Sequence, residues 1–105
     1  MTEKNQEFNK DLDKYTSAIR EKLPELRQRF RVKSLGVFGS YVKGQQTEES
    51  DLDLLVEFYE TPGLLRFIAM ENYLSDLLGV KVDLVMKDAL KPAIGKRILA
   101  EVVPV

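Results

Sequence analysis

The sequence predicts a mixed α/β domain: a small three-stranded sheet of mixed direction with helices packed on one face. Three observations carry this. Residues Asp51 to Phe58 alternate as a half-buried strand does, with Leu52, Leu54, Val56 and Phe58 on one side and Asp51, Asp53, Leu55 and Glu57 on the other. A helical pattern over Leu64 to Leu78 follows, and then a second apolar strand over Val80 to Met86. Strand, helix and strand in that order form a βαβ unit, which makes its two strands parallel.

From the N-terminus, the first seven residues are polar and are expected to fray. Phe8, Leu12, Tyr15, Ile19, Leu23, Leu26 and Phe30 then recur at steps of three and four, a single apolar helical stripe. Either that stripe packs on the sheet or it extends into an oligomer interface. Pro24 interrupts it, so the expectation is one helix to about Lys22 and a second short one opening near Pro24. VKSLGVFG reads as the first strand, ending at Gly39. The polar stretch Ser40 to Ser50 holds at most one helical turn and a loop, so strands one and two are expected to be antiparallel.

Thr61-Pro62-Gly63 is a turn, and Gly79 is placed to cap the helix that ends at Leu78. Asp88 is expected to cap a last helix over Leu90 to Glu101, with Pro92 in its first turn. Neither a repeat nor a low-complexity segment interrupts the pattern.

Composition narrows the chemistry. One domain accommodates the 105 residues, and Lys plus Arg (16) nearly balance Asp plus Glu (17) for a net charge of −1. Such a balance lacks the basic excess of a protein held on nucleic acid, so no direct nucleic-acid partner is expected. With no Cys and no His, thiolate metal sites, thiol nucleophiles and imidazole bases are excluded. Any metal must be held by oxygens, which points to magnesium, manganese or calcium. No apolar run approaches a membrane span and the polar start MTEKNQEFNK is no signal peptide; a soluble cytoplasmic protein is expected.

The carboxylates stand out. If Val82 and Leu84 join the same core as Leu52 and Leu54, Asp83 must share a face with Asp51 and Asp53. Two like charges ~5 Å apart repel by about 3 kcal/mol at an effective dielectric near 20. Three such pairs rival the whole stability of a small domain, roughly 5–15 kcal/mol. Solvent and protonation relieve part of that, and a divalent cation would relieve nearly all of it. Solvent-facing Asp residues usually serve only solubility, but Asp is a poor strand former, and two of them flank Leu52 inside one strand. Gly39-Ser40 closes strand one where a helical turn can open; taken alone it more often just turns the chain than cradles phosphate. An antiparallel second strand, however, would return Asp51 and Asp53 to its neighbourhood. A phosphate cradle beside a cation site is what phosphoryl or nucleotidyl transfer requires.

Gly39-Ser40, ten residues, then Asp51-Leu52-Asp53, with Asp83 in KVDLV, resembles the G-S-x10-D-x-D signature of the DNA polymerase beta-like nucleotidyltransferase superfamily. FGSYVKGQQTEESDLDLLVEF and VDLVMKDALKPAIGKRIL resemble the minimal nucleotidyltransferase (MNT) family and its MntA-type antitoxins, over roughly Leu23 to Val105. The resemblance implies a nucleotidyltransferase fold, ATP as substrate and magnesium, or manganese in its place. It implies that Gly39 and Ser40 hold the triphosphate, that Asp51, Asp53 and Asp83 hold metal, and that Asp83 takes the acceptor's proton. Lys43, where family members often carry Arg, would neutralise phosphate charge; a solvated loop lysine is the competing reading.

The same resemblance implies a HEPN-domain ribonuclease toxin as partner, with AMP transferred from ATP to a toxin tyrosine. Two alternatives remain: an antitoxin that neutralises by binding alone, and an enzyme acting on a small hydroxylated molecule. Gly36 either leaves room for substrate or is a neutral strand glycine. Lys91, Lys96 and Arg97 either meet ATP or an acidic partner, or form a solvated helix face. At 105 residues the chain is too short for a separate acceptor-binding domain beside this one, so the acceptor is expected to dock on a shared surface.

Overall fold

The computed structural model describes residues 2–105, and side chains from Asp11 onward. The expectation that residues 1–7 fray, and the place of Phe8 in the stripe, lie outside the described side chains. Helix α1 spans Thr2–Phe30, then come β1 (Val32–Phe38), the one-turn α2 (Ser40–Lys43), β2 (Leu52–Phe58), α3 (Leu64–Leu78) and β3 (Val82–Met86). A 3₁₀ turn at Lys87–Ala89, α4 (Pro92–Glu101) and β4 (Val103–Pro104) complete the chain. The sheet order is β3-β2-β1-β4.

β1 and β2 are antiparallel and β2 and β3 parallel, as the connection lengths require. The sheet has four strands rather than the expected three, because the chain returns after α4 and pairs Val103 and Pro104 with Val37 and Gly36. So short a strand, ending in proline, gives no periodic signal, and proline is tolerated there because β4 is an edge. At the opposite edge, α3 reaches down to β3: Ser75 Oγ accepts from the Val82 N–H and Glu71 Oε2 from the Leu84 N–H. Outward-facing donors are thereby satisfied within the chain, which blunts the edge for strand pairing.

Pro24 does not divide α1, contrary to expectation. The helix runs through it, with Ile19, Leu26 and Phe30 all buried in one core with β1, β2 and α3. An interior proline costs about 3 kcal/mol against Ala. Burying three large apolar residues on one continuous face, at roughly 1.5–3 kcal/mol each, outweighs it. Of the two fates open to the stripe, Leu12 to Phe30 pack into this core. α1 ends at Arg31, a non-glycine in the left-handed region (φ 62), whose carbonyl accepts from the Tyr59 N–H.

The last helix departs from the expectation twice. Asp88 lies in the 3₁₀ turn and caps nothing; α4 opens at Pro92, which needs no N–H partner, behind Lys91. α4 also crosses to the carboxylate face of the sheet, where the other helices do not go. Leu99 and Val102 line a cavity there together with Gly36 and Leu55, and Leu55 is buried although it alternates with Leu54. A Cβ on Gly36 would stand 2.5 Å from Val102 Cγ2. The missing side chain therefore makes room for the chain's own C-terminal segment and not for substrate.

Candidate active site

The site is built where β1 ends. Strand pairing sets Phe38 opposite Asp53, and Asp53 opposite Asp83 across the parallel β2–β3 pair. Asp53 and Asp83 are therefore neighbours on one face, as their parity demands. Asp51 precedes β2 by one residue, and its Oδ2 lies 3.9 Å from Lys81 Nζ, a solvent-exposed pair of little energetic weight. Asp83 is exposed and Asp53 half-buried.

Gly39 turns the chain from β1 into α2 with φ 81 and ψ −149, a conformation essentially reserved for glycine. The residue is needed for a second reason. A Cβ there would run into Asp53 Oδ2. The backbone turn and the central carboxylate touch, so Gly39 and Asp53 form one unit. The turn is braced from behind: Tyr41 of α2 is buried, and its ring meets Tyr15 of α1 edge-on at 5.6 Å. Burial, with Tyr15 beside it, pushes the Tyr41 phenol up to about 12, so it serves as a neutral packing residue. Ser40 stands half-buried at the first position of α2, and Lys43 is exposed at its last.

The electrostatics match this crowding. Asp53 is pushed up to about 6, first by burial, then by the charges of Asp83, Asp51 and Glu101. Glu101 is the carboxylate that the sequence did not single out. Its Oε2 accepts from the Gly39 N–H at 2.8 Å and its Oε1 lies 3.6 Å from Lys43 Nζ. Its position follows from β4: two residues further along the register that pairs Val103 with Val37, Glu101 stands opposite Gly39. Recognising β4 in VVPV was the only signal that could have found it.

The sequence-selected Gly39, Ser40, Lys43, Asp51, Asp53 and Asp83 thus gather at one end of the sheet. Arg97 joins them by lining a cleft of about 170 Å³ with Phe38, Gly39, Lys43 and Glu101, while Lys91 and Lys96 are solvent-exposed. As the side chains stand, no three acidic groups among the described residues converge tightly enough to hold an ion. The donor set is nevertheless all oxygen, and Asp53 is half-buried with Asp83, Asp51 and Glu101 near it. In donor type and strand register, though not in finished geometry, the cluster fits a hard divalent cation. No helix among the described residues is long and apolar enough to cross a membrane.

Comparison with known proteins agrees with this architecture. The nucleotidyltransferase domain model matches residues 19–105. A protein adenylyltransferase, MntA, of Thermococcus cleftensis is 53% identical over 92 residues, covering 88% of this chain and 93% of its own. Among solved structures, a candidate minimal nucleotidyltransferase superposes with a TM-score of 0.72 at 39% identity, over 86% of this chain and 92% of that one. A chain of the complex between the tri-AMPylated HEPN toxin and the MNT antitoxin of Shewanella oneidensis shares the fold, with a TM-score of 0.59 at 18% identity, over 92% of this chain and 70% of that one. With the carboxylates opposed across β2 and β3 and the glycine turn against them, the chain belongs to the nucleotidyltransferase domain family, in its minimal nucleotidyltransferase branch.

Proposed function

We propose that this protein is an adenylyltransferase antitoxin that transfers AMP from ATP to a tyrosine of a HEPN-domain toxin. The observation that carries the reading is the contact of Gly39 with Asp53, and of Asp53 with Asp83 in register, which sets a turn able to receive phosphate against a pair of carboxylates. The name of the Thermococcus relative and the tri-AMPylated toxin of the Shewanella complex support AMP as the group transferred and a HEPN protein as its acceptor.

Each residue has a task in the transfer. The Gly39 N–H and the Ser40 hydroxyl donate to phosphate oxygens, and the Lys43 ammonium offsets their charge. Asp51, Asp53 and Asp83 would hold magnesium, or manganese in its place, which when bound supplies positive charge to the triphosphate. The acceptor oxygen bonds to the α-phosphorus, the bond from that phosphorus to the bridging oxygen of the β-phosphate breaks, and pyrophosphate leaves. Asp83 takes the hydroxyl proton, since the chain has no imidazole to do so.

The test is the intact mass of the co-expressed HEPN partner, with the wild type and with the Asp51→Ala/Asp53→Ala double variant. Increments of one or more AMP with the wild type alone, mapped by fragmentation to tyrosine, are the expected result. An unmodified partner that the double variant still silences would overturn the enzymatic reading and leave an antitoxin that acts by binding.

A further inference from the structure

Glu101 holds two of the groups that phosphate would need. A carboxylate and a phosphate oxygen seek the same partners, and here the Gly39 N–H and the Lys43 ammonium are both turned toward one Glu side chain, at 2.8 and 3.6 Å. The fold delivers that side chain deliberately. Glu101 ends α4, and the next residues are fixed at once: Val102 packs on Gly36, Val103 and Pro104 pair with β1, and the Val105 N–H donates to the Leu35 carbonyl. The backbone at Glu101 is thus pinned beside the turn, and only its side chain is free to leave.

It also has somewhere to go. Arg97 lies one helical turn earlier on α4 and lines the same cleft as Lys43 and Glu101. Residues four apart on a helix are within pairing reach. Two positions are therefore open to the carboxylate: against Gly39 and Lys43, or against Arg97.

We propose that Glu101 is a resident competing anion, which occupies the Gly39–Lys43 cradle until a nucleoside triphosphate displaces it toward Arg97. The inference rests on the assignment of Gly39 and Lys43 to the triphosphate. Its consequence is that the wild type binds nucleotide more weakly than its cradle allows. The handicap is greatest for nucleotide without a divalent cation, whose extra charge Glu101 also repels.

Isothermal titration calorimetry with ATP, once with magnesium chloride and once with EDTA, tests this on the wild type, Glu101→Gln and Glu101→Ala. Glu101→Gln keeps size and an acceptor for the Gly39 N–H but removes the charge. It is expected to bind ATP with magnesium about tenfold more tightly, and to gain more in EDTA, because a hydrogen bond to a charged group no longer has to be exchanged. In a Lys43→Ala background the gain should shrink, since the two side chains act on each other. Glu101→Ala should melt at a lower temperature without nucleotide, its Gly39 N–H having lost a partner, and yet bind ATP more tightly. A purely structural role would not move the two in opposite directions. Equal or weaker binding by Glu101→Gln overturns the proposal, and weaker binding makes Glu101 a ligand of nucleotide or metal. Absence of ATP binding in all three proteins would remove the nucleotide reading of the site as well, so the two failures are told apart.

Discussion

The two faces of β1, β2 and β3 are made from alternate residues of the same strands, yet they obey opposite rules. On the face toward α1 and α3, Leu52, Leu54, Val37, Val56, Val82 and Leu84 are all buried and join one apolar core with residues of those two helices. On the other face, one residue out of phase, the same strands carry Asp53 and Asp83 in direct opposition with Glu101 close by. The first face lowers the free energy of the fold with every side chain it buries. Like charges gathered at the second raise it. Sites that must bind cations or polyanions are where a protein accepts such a cost, and the stability of the first face is what permits the second.

That contrast is breakable. The largest effect is expected on the apolar side: Leu54→Ala, at a fully buried position, should cost about 2–5 kcal/mol in urea unfolding. A smaller loss would mean that the core relaxes around the cavity.

Next comes the turn that joins the faces. Gly39→Ala should cost about 1–3 kcal/mol from the backbone alone, and more because its Cβ meets Asp53. Repeated in an Asp53→Ala background, the same substitution should lose the collision and retain only the backbone cost. Strict additivity of the two changes would show that Gly39 and Asp53 do not act as a unit.

The smallest effect has the opposite sign. Asp53, raised to about 6, holds its proton more tightly in the folded than in the unfolded state. Its contribution therefore favours folding at low pH and is lost as pH rises from about 4 through about 6. Asp53→Asn should then melt higher than the wild type at pH 7–8, on the order of 2–5 °C, with the difference gone near pH 4. Melting curves across that range decide it: a variant less stable at pH 8 would mean that the Asp53 charge is already compensated.

How much of this is legible in the sequence differs by region. β2, α3 and β3 are legible nearly residue for residue, because periods of 2 and 3.6 are local and the Gly79 cap at φ 68 is chemically specific. Parity also put Asp83 on the face of Asp51 and Asp53, and the short link from β1 to β2 brought Gly39 near them. Other features are not legible from local pattern. Pro24 looked like a helix break, since proline propensity is local while the burial of Ile19, Leu26 and Phe30 that overrides it is not. Asp88 looked like a cap, but the chain starts α4 later, at a proline. Glu101 looked like the end of a helix and nothing more.

The sequence by itself determined β1, β2, α3 and β3, the antiparallel-then-parallel order of those three strands and the face on which the carboxylates gather. Each of these rests on alternation or on the length of a connection. Tertiary structure alone decided the unbroken α1, the fourth strand, the crossing of α4 to the carboxylate face and the bond from Gly39 to Glu101. These join residues as far apart as 39 and 101, and their formation depends on packing and pairing that no local pattern encodes.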